Sequence, residues 1–153
     1  MIGVYCSSNR PEYWRRMYYS LSQNNVEFNL CIAGPYPPLY DLPVNVTYVQ
    51  SNVKPAQCWF IAACNVKGDI LYHVGDDTVL DAGTLDTLYD IMKENDENTI
   101  ATAKWVESQH EIVYYRWGED RRYVVSDFPM PVGAMIHRKT FMDIGVDKNF
   151  LAL

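Results

Sequence analysis

The residues predict an α/β fold: a mostly parallel central sheet flanked by helices, with a small antiparallel hairpin element in the second half. Three observations lead there. Short apolar runs able to form buried strands recur at Ile2 to Ser7, Phe28 to Ala33, Val44 to Val49 and Ile70 to Val74. Stretches with helical spacing of apolar residues lie between them. Strands and helices alternate rather than segregate, which is the pattern of a parallel sheet with crossover helices.

Ile2 to Ser7 reads as a strand that opens into the loop Ser8-Asn9-Arg10. Pro11 suits a first helical turn, because its missing N–H would have no partner there. Trp14, Met17, Tyr18 and Leu21 follow at i, i+3, i+4 and i+7, one apolar face, and Gln23-Asn24-Asn25 stops that helix. Phe28 to Ala33 is the second strand, ended by the loop Gly34-Pro35-Tyr36-Pro37-Pro38. Val44 to Val49 alternates and makes the third. Pro55 opens a second helix with Ala56, Trp59, Phe60 and Ala63 on one face, and Gly68 ends it. Ile70 to Val74 is the fourth strand, broken by Gly75-Asp76-Asp77-Thr78. Asp81 is placed to cap a third helix carrying Leu85, Leu88, Tyr89 and Met92 inward. Thr99 to Val106 is strand-like. Glu111 to Trp117 and Arg122 to Val125 read as a hairpin around Gly118-Glu119-Asp120. Val132 to His137 is a last strand, and Arg138 to Ile144 a short helix that Gly145 terminates.

Composition narrows the class. At 153 residues, 48% hydrophobic and 21% charged, the chain reads as one domain over 1–153 with a real core, not as a disordered or fibrous protein. The net charge of −6 argues against nonspecific nucleic-acid binding, which needs a basic surface to neutralise phosphates. No apolar stretch is long enough for a transmembrane segment. Met1 to Tyr5 runs into Ser7, Ser8, Asn9 and Arg10 rather than a signal-peptide apolar region, so the expected location is the cytoplasm. Four cysteines occur without a CxxC pair, which disfavours disulfide and zinc readings.

One feature carries chemistry. The apolar strand Ile70 to Val74 delivers two adjacent carboxylates, Asp76 and Asp77, at its C-terminal end. Ligands of open α/β sheets bind beyond those strand ends, where the strand order switches. Adjacent carboxylates repel unless a cation lies near them, and Mg²⁺ is often held by one or two carboxylates plus substrate phosphates. The same residues read equally well as a turn, since Asp bonds its own backbone there.

The run Gly68-Asp69-Ile70-Leu71-Tyr72-His73-Val74-Gly75-Asp76-Asp77 followed by Asp81-Ala82-Gly83-Thr84-Leu85 resembles the metal-binding segment of GT-A glycosyltransferases of the family 2 type. Ile2 to Gln23, with its Asn9-Arg10 loop and Ser20-Leu21-Ser22-Gln23, is similar to that family's first strand, loop and helix. His137 to Phe150 is similar to its later Arg-Arg, Phe, Gly and Phe-Asp passage. The resemblance spans nearly the whole chain and implies a single Rossmann-like GT-A domain. It implies transfer of a sugar from a nucleotide-diphosphate sugar donor to an acceptor it does not identify, with Mn²⁺ or Mg²⁺ as cofactor. Asp77 falls on the metal-ligating Asp, with Asp76 as helper. Ser7, Ser8, Asn9 and Arg10 fall on the nucleotide-pocket loop, and Gly34, Lys54 and Asp76 complete the candidate donor contacts.

The chain also departs from that pattern. Gly75 stands where the first Asp of Asp-x-Asp is usual. The second strand ends Ala33-Gly34-Pro35 where the family has a base-reading Asp, and Trp59-Phe60 replace an Arg-Asn pair. The Glu-Asp motif with the catalytic base has no counterpart before Leu153, and Asp147 is the nearest substitute. A degenerate sugar- or nucleotide-binding module is therefore the alternative. A sugar-phosphate nucleotidyltransferase is a weaker one, for want of a Gly-rich loop after the first strand. Arg116, Arg121 and Arg122 flank the expected hairpin as phosphate contacts or as a solvated face. Trp105 and Trp117 are candidate acceptor contacts. Oligomeric state has no signature.

Overall fold

The computed structural model describes residues 1–103 and 133–145, and the backbone of 105–107 and 110–112. Its first strand, β1 (Ile2–Ser7), enters a 3-10 turn at Pro11–Tyr13 that leads into α1 (Trp14–Leu21). Then come β2 (Phe28–Gly34), β3 (Val46–Gln50), α2 (Pro55–Asn65), β4 (Ile70–His73) and α3 (Thr84–Glu94). β5 (Ile100–Thr102), β6 (Trp105–Glu107), β7 (His110–Ile112), β8 (Ala134–His137) and α4 (Arg138–Ile144) complete the described elements.

Six strands form one sheet in the order β3-β2-β1-β4-β8-β5. β1 pairs in parallel with both β2 and β4, and β2 with β3, while β8 runs antiparallel between β4 and β5. Strand order therefore turns around at β1. The chain first builds outward through β2 and β3, then crosses back to place β4 on the other side of β1. The C-terminal ends of β1 and β4 lie side by side at this switch point, where ligands of open α/β sheets bind. β6 and β7 form a separate antiparallel pair.

Side chains alternate across β1. Ile2, Val4 and Cys6 join the core under α1 and α3, with Trp14, Met17, Leu21, Leu85, Leu88 and Met92. Tyr5 faces the other layer, with Cys58, Ala62 and Ala63 of α2 and with Phe141 of α4. Fully burying a Leu, Ile or Met side chain contributes roughly 1.5–3 kcal/mol, so these two layers hold the central strands in place.

Several boundaries differ from the sequence reading. The third strand starts at Val46 rather than Val44, because the Val46 N–H closes a turn on the Pro43 carbonyl and leaves Val44 fully exposed. The third helix starts at Thr84 after Gly83, whose φ of 82° is a left-handed value. Asp81 gives its carbonyl to the Thr84 N–H, not its carboxylate to the helix. The expected strand over 99–106 divides into β5 and β6. The described hairpin joins 105–107 to 110–112, whereas the pairing expected over 111–117 and 122–125 lies largely outside the described residues.

The link from α2 to β4 is held by Arg138. Its Nε donates to the Gly68 carbonyl at 2.6 Å, Nη1 to Ala63 at 2.9 Å and Nη2 to Val66 at 2.7 Å. A cation satisfying carbonyls at a helix C-terminus is favoured by both hydrogen bonding and the helix dipole. No helix among the described residues is long and apolar enough to cross a membrane.

Candidate functional site

Two loops meet at the C-terminal edge of β1 and β4. The first is Ser7-Ser8-Asn9-Arg10. The Ser8 N–H still bonds the Ala33 carbonyl at 3.0 Å, so the loop leaves the sheet only after Ser8. The second is Gly75-Asp76-Asp77-Thr78, a turn closed by the Thr78 N–H on the Gly75 carbonyl at 3.1 Å. The acidic doublet lies in this turn, and the two carboxylates differ in burial: Asp76 is buried, Asp77 half exposed.

Asp76 is bound by protein donors. Ser8 Oγ donates to its Oδ2 at 2.7 Å, Arg10 Nε to the same oxygen at 3.1 Å, and Arg10 Nη2 to Oδ1. The Ser8 hydroxyl is itself oriented, accepting from the Trp14 indole N–H at 2.6 Å and the Arg10 N–H at 3.1 Å. Arg10 Nη2 also reaches Asp77 Oδ2 at 2.9 Å, and Arg16 Nη2 donates to the Asp77 carbonyl at 3.0 Å. The Arg10 and Arg16 guanidinium carbons lie 5.1 and 5.4 Å from the Tyr13 ring centroid.

The electrostatics follow from this geometry. Hydrogen bonding to Asp76, joined by Asp77, holds the Arg10 guanidinium above its ordinary pKa. The Cys6 thiol just behind is pushed up by burial and by the two carboxylates, so it stays a neutral thiol and an inert core group. Nη1 of Arg10 takes no hydrogen bond among the described residues, which leaves two N–H donors for a ligand. Oδ1 of Asp77 likewise accepts none among them.

The crevice encloses about 440 Å³. Its walls are Ser7, Ser8, Asn9 and Arg10 from the β1 loop, Gly75, Asp76 and Asp77 from the β4 loop, and Pro35, Val53, Pro55, Cys58, Trp59 and His73. His73 is buried, stacked on Tyr5 at 5.1 Å between centroids and met edge-on by Trp59 at 4.6 Å. Burial pushes the Tyr5 phenol up to about 12, so it stays protonated at neutral pH.

The structure thus brings together Ser7, Ser8, Asn9, Arg10, Asp76 and Asp77. It does not bring in two of the candidates named from sequence. Gly34 is a buried spacer: a Cβ there would stand 1.7 Å from the Ser8 carbonyl oxygen, so glycine is what lets the β1 and β2 loops touch. Lys54 is exposed before α2, its backbone N–H bonded to Gln57 Oε1 at 3.1 Å, between the lining residues Val53 and Pro55. Asp147, Trp117, Arg116, Arg121 and Arg122 lie outside the described residues, as does the Trp105 side chain. Sequence reading missed Trp14 as a site residue because its spacing marks it as core. The one available signal was its indole N–H, which needs a partner when buried. Arg16 was missed because its contact is to a backbone carbonyl.

No family model and no curated protein matches the chain. Solved structures do. S. aureus TarS 1-349 aligns with a TM-score of 0.60 at 12% identity, its complex with UDP-GlcNAc with 0.66 at 11%, and its complex with UDP with 0.65 at 12%. Each alignment covers 94% of this chain, which spans about half (47–48%) of the length of those structures. At such identity the likeness is one of fold, and the fold is a GT-A-like α/β sheet.

Proposed function

We propose that the crevice binds a nucleotide-diphosphate sugar, and that the chain supplies the donor side of a glycosyltransferase. The observation that carries this reading is the crevice itself. It places a guanidinium edge that bonds none of the described residues and a half-exposed carboxylate at the switch point of the sheet. The likeness to TarS structures holding UDP-GlcNAc and UDP supports the donor class.

The donor set can be tested for a divalent cation. Asp76 has both oxygens engaged by Ser8 and Arg10, which makes it an anchor for Arg10 rather than a ligand. Asp77 keeps Oδ1 available at the exposed rim. One carboxylate, with water and substrate phosphate oxygens, is a coordination set that Mg²⁺ and Mn²⁺ accept, so the residues fit through Asp77 alone. When bound, such a cation neutralises a diphosphate leaving group. Arg10 meanwhile presents Nη1 to a phosphate oxygen, and its other two donor positions stay fixed on Asp76 and Asp77. Pre-oriented guanidinium donors spend less side-chain entropy on binding. Ser8 and Trp14 hold this arrangement from behind.

Among the described lining residues, Asp76 and Asp77 are the only carboxylates, and both have these tasks. The base that deprotonates an acceptor hydroxyl is therefore not one of the described lining residues. The acceptor stays unassigned.

The test is a thermal-shift panel with UDP-GlcNAc and UDP, each with and without Mn²⁺. A ligand at about 100 times its dissociation constant stabilises by roughly 2.7 kcal/mol. Stabilisation that needs Mn²⁺ and disappears in Asp77→Ala is expected. Absence of any shift with nucleotide-sugars overturns the reading.

A further inference from the structure

We infer that Arg10 and Arg16, both fixed on Asp77, bar the site to a free divalent cation, so that the cation is taken only together with a diphosphate. This rests on the donor reading above and extends it to what the site accepts as its ligand.

Two arginines converge on one residue. Arg10 Nη2 donates to Asp77 Oδ2 at 2.9 Å, and Arg16 Nη2 to the Asp77 carbonyl at 3.0 Å. Tyr13, in the 3-10 turn between them, carries both guanidinium groups on its ring, at 5.1 and 5.4 Å from the centroid. Arg16 pairs with no carboxylate among the described residues, and its hydrogen bond there is to that carbonyl. Arg10 and Arg16 thus set two positive charges against the two negative charges of Asp76 and Asp77. The cluster is balanced as it stands.

A divalent cation on Asp77 Oδ1 upsets that balance, because it shares one carboxylate with Arg10 and one residue with Arg16. Even at the dielectric constant of water, a unit positive charge on one oxygen of a carboxylate lowers the affinity of a divalent cation for the other roughly tenfold. Further protein ligands do not offset this: among the described residues no group of three or more His, Cys, Asp or Glu side chains is gathered to hold a metal. Asp76 is buried, with both oxygens engaged by Ser8 and Arg10. A diphosphate supplies the missing negative charge. Its oxygens complete the coordination of the cation and accept from the guanidinium N–H groups that bond none of the described residues, at Nη1 of Arg10 and at Nε and Nη1 of Arg16. Cation and diphosphate are then linked, each raising the affinity of the other by the same factor. Loss of either arginine charge therefore acts with opposite sign on the two ligands: it favours the bare cation and disfavours the diphosphate.

The test is a Mn²⁺ titration followed by electron paramagnetic resonance, without and with UDP, on the wild-type chain, Arg10→Gln, Arg10→Lys, Arg16→Gln and the double variant Arg10→Gln/Asp77→Asn. Arg16 is exposed, so Arg16→Gln carries the test if Arg10→Gln loses its fold. Without UDP, Arg10→Gln is expected to bind Mn²⁺ about tenfold more tightly than wild type, and Arg16→Gln about threefold, its charge being more screened. Arg10→Lys keeps the charge and gains nothing, and Arg10→Gln/Asp77→Asn loses the gain. With Mn²⁺ present, UDP binds both neutral variants more weakly than wild type. Bare Mn²⁺ affinity that stays at the wild-type value in a folded neutral variant overturns the inference. So does wild-type binding of bare Mn²⁺ that UDP does not tighten. In both cases UDP binding to wild type leaves the donor reading standing. Absence of UDP binding by wild type, with Mn²⁺ present, overturns the donor reading together with the inference.

Discussion

Arg10 and Asp76, 66 residues apart, meet as a fork: Nε donates to Oδ2 at 3.1 Å and Nη2 to Oδ1, on a carboxylate that is almost wholly buried. Bidentate charge-assisted pairs of this kind fix geometry as well as adding energy. The pair ties the β1 loop to the β4 loop across the mouth of the crevice. Asp76→Ala leaves the Ser8 hydroxyl and two guanidinium donors without their acceptor. It should cost about 1–3 kcal/mol in urea unfolding, with Asp76→Asn costing less because one oxygen remains. Arg10→Lys keeps the charge and loses the fork, and should weaken UDP binding about tenfold in a titration.

Gly34 gives a backbone test of the same junction. Its Cβ would meet the Ser8 carbonyl, a main-chain atom that cannot rotate away. Gly34→Ala should cost about 3 kcal/mol or more and lower UDP affinity, because the Ser8 loop must move. Full stability in this variant would show that the two loops are not in contact.

Arg138 separates folding from binding. It satisfies three carbonyls at the α2–β4 link, far in sequence from the crevice loops. Arg138→Met keeps an aliphatic stem and should lower stability by about 2 kcal/mol, a melting shift of roughly 4–8 °C. UDP affinity below the new melting range should be unchanged.

Asp86 sets a pH dependence. Desolvation pushes its carboxyl up, but hydrogen bonds from the N–H groups of Asn25 and Val26 and from the Asn25 amide outweigh it. Its pKa is therefore below the ordinary 3.8. The stability it supplies is complete above that ordinary value and is lost as pH falls through the depressed one. Asp86→Asn should be less stable than wild type at pH 7, and the gap should close on acidification below about pH 4. A gap that stays constant with pH would show that the Asp86 charge contributes nothing.

The fold was largely legible. Alternating apolar strands and helical faces predicted the order of elements through Glu94, because each face buries against one sheet and leaves a periodic trace. Boundaries slipped where a local hydrogen bond overrode the pattern, as at Pro43–Val46 and at Gly83. The site was legible in part. Strand ends followed by Ser8, Arg10, Asp76 and Asp77 showed in sequence as interrupted apolar runs. The division of labour between the two carboxylates did not. Asp76 and Asp77 are chemically identical and adjacent, and only the turn decides which is buried on Arg10 and which reaches solvent. Gly34 looked like a pocket residue because its neighbours are, but its part is to be small.

The most direct measurement is a crystal structure of the chain with UDP and Mn²⁺, using the anomalous signal of the metal. The account predicts Mn²⁺ on Asp77, about 2 Å from its carboxylate, the diphosphate beside Arg10, and Asp76 still bound by Ser8 and Arg10. Nucleotide density away from this crevice would contradict it, for example in the separate apolar cavity of about 200 Å³ beside Trp14 and Tyr40.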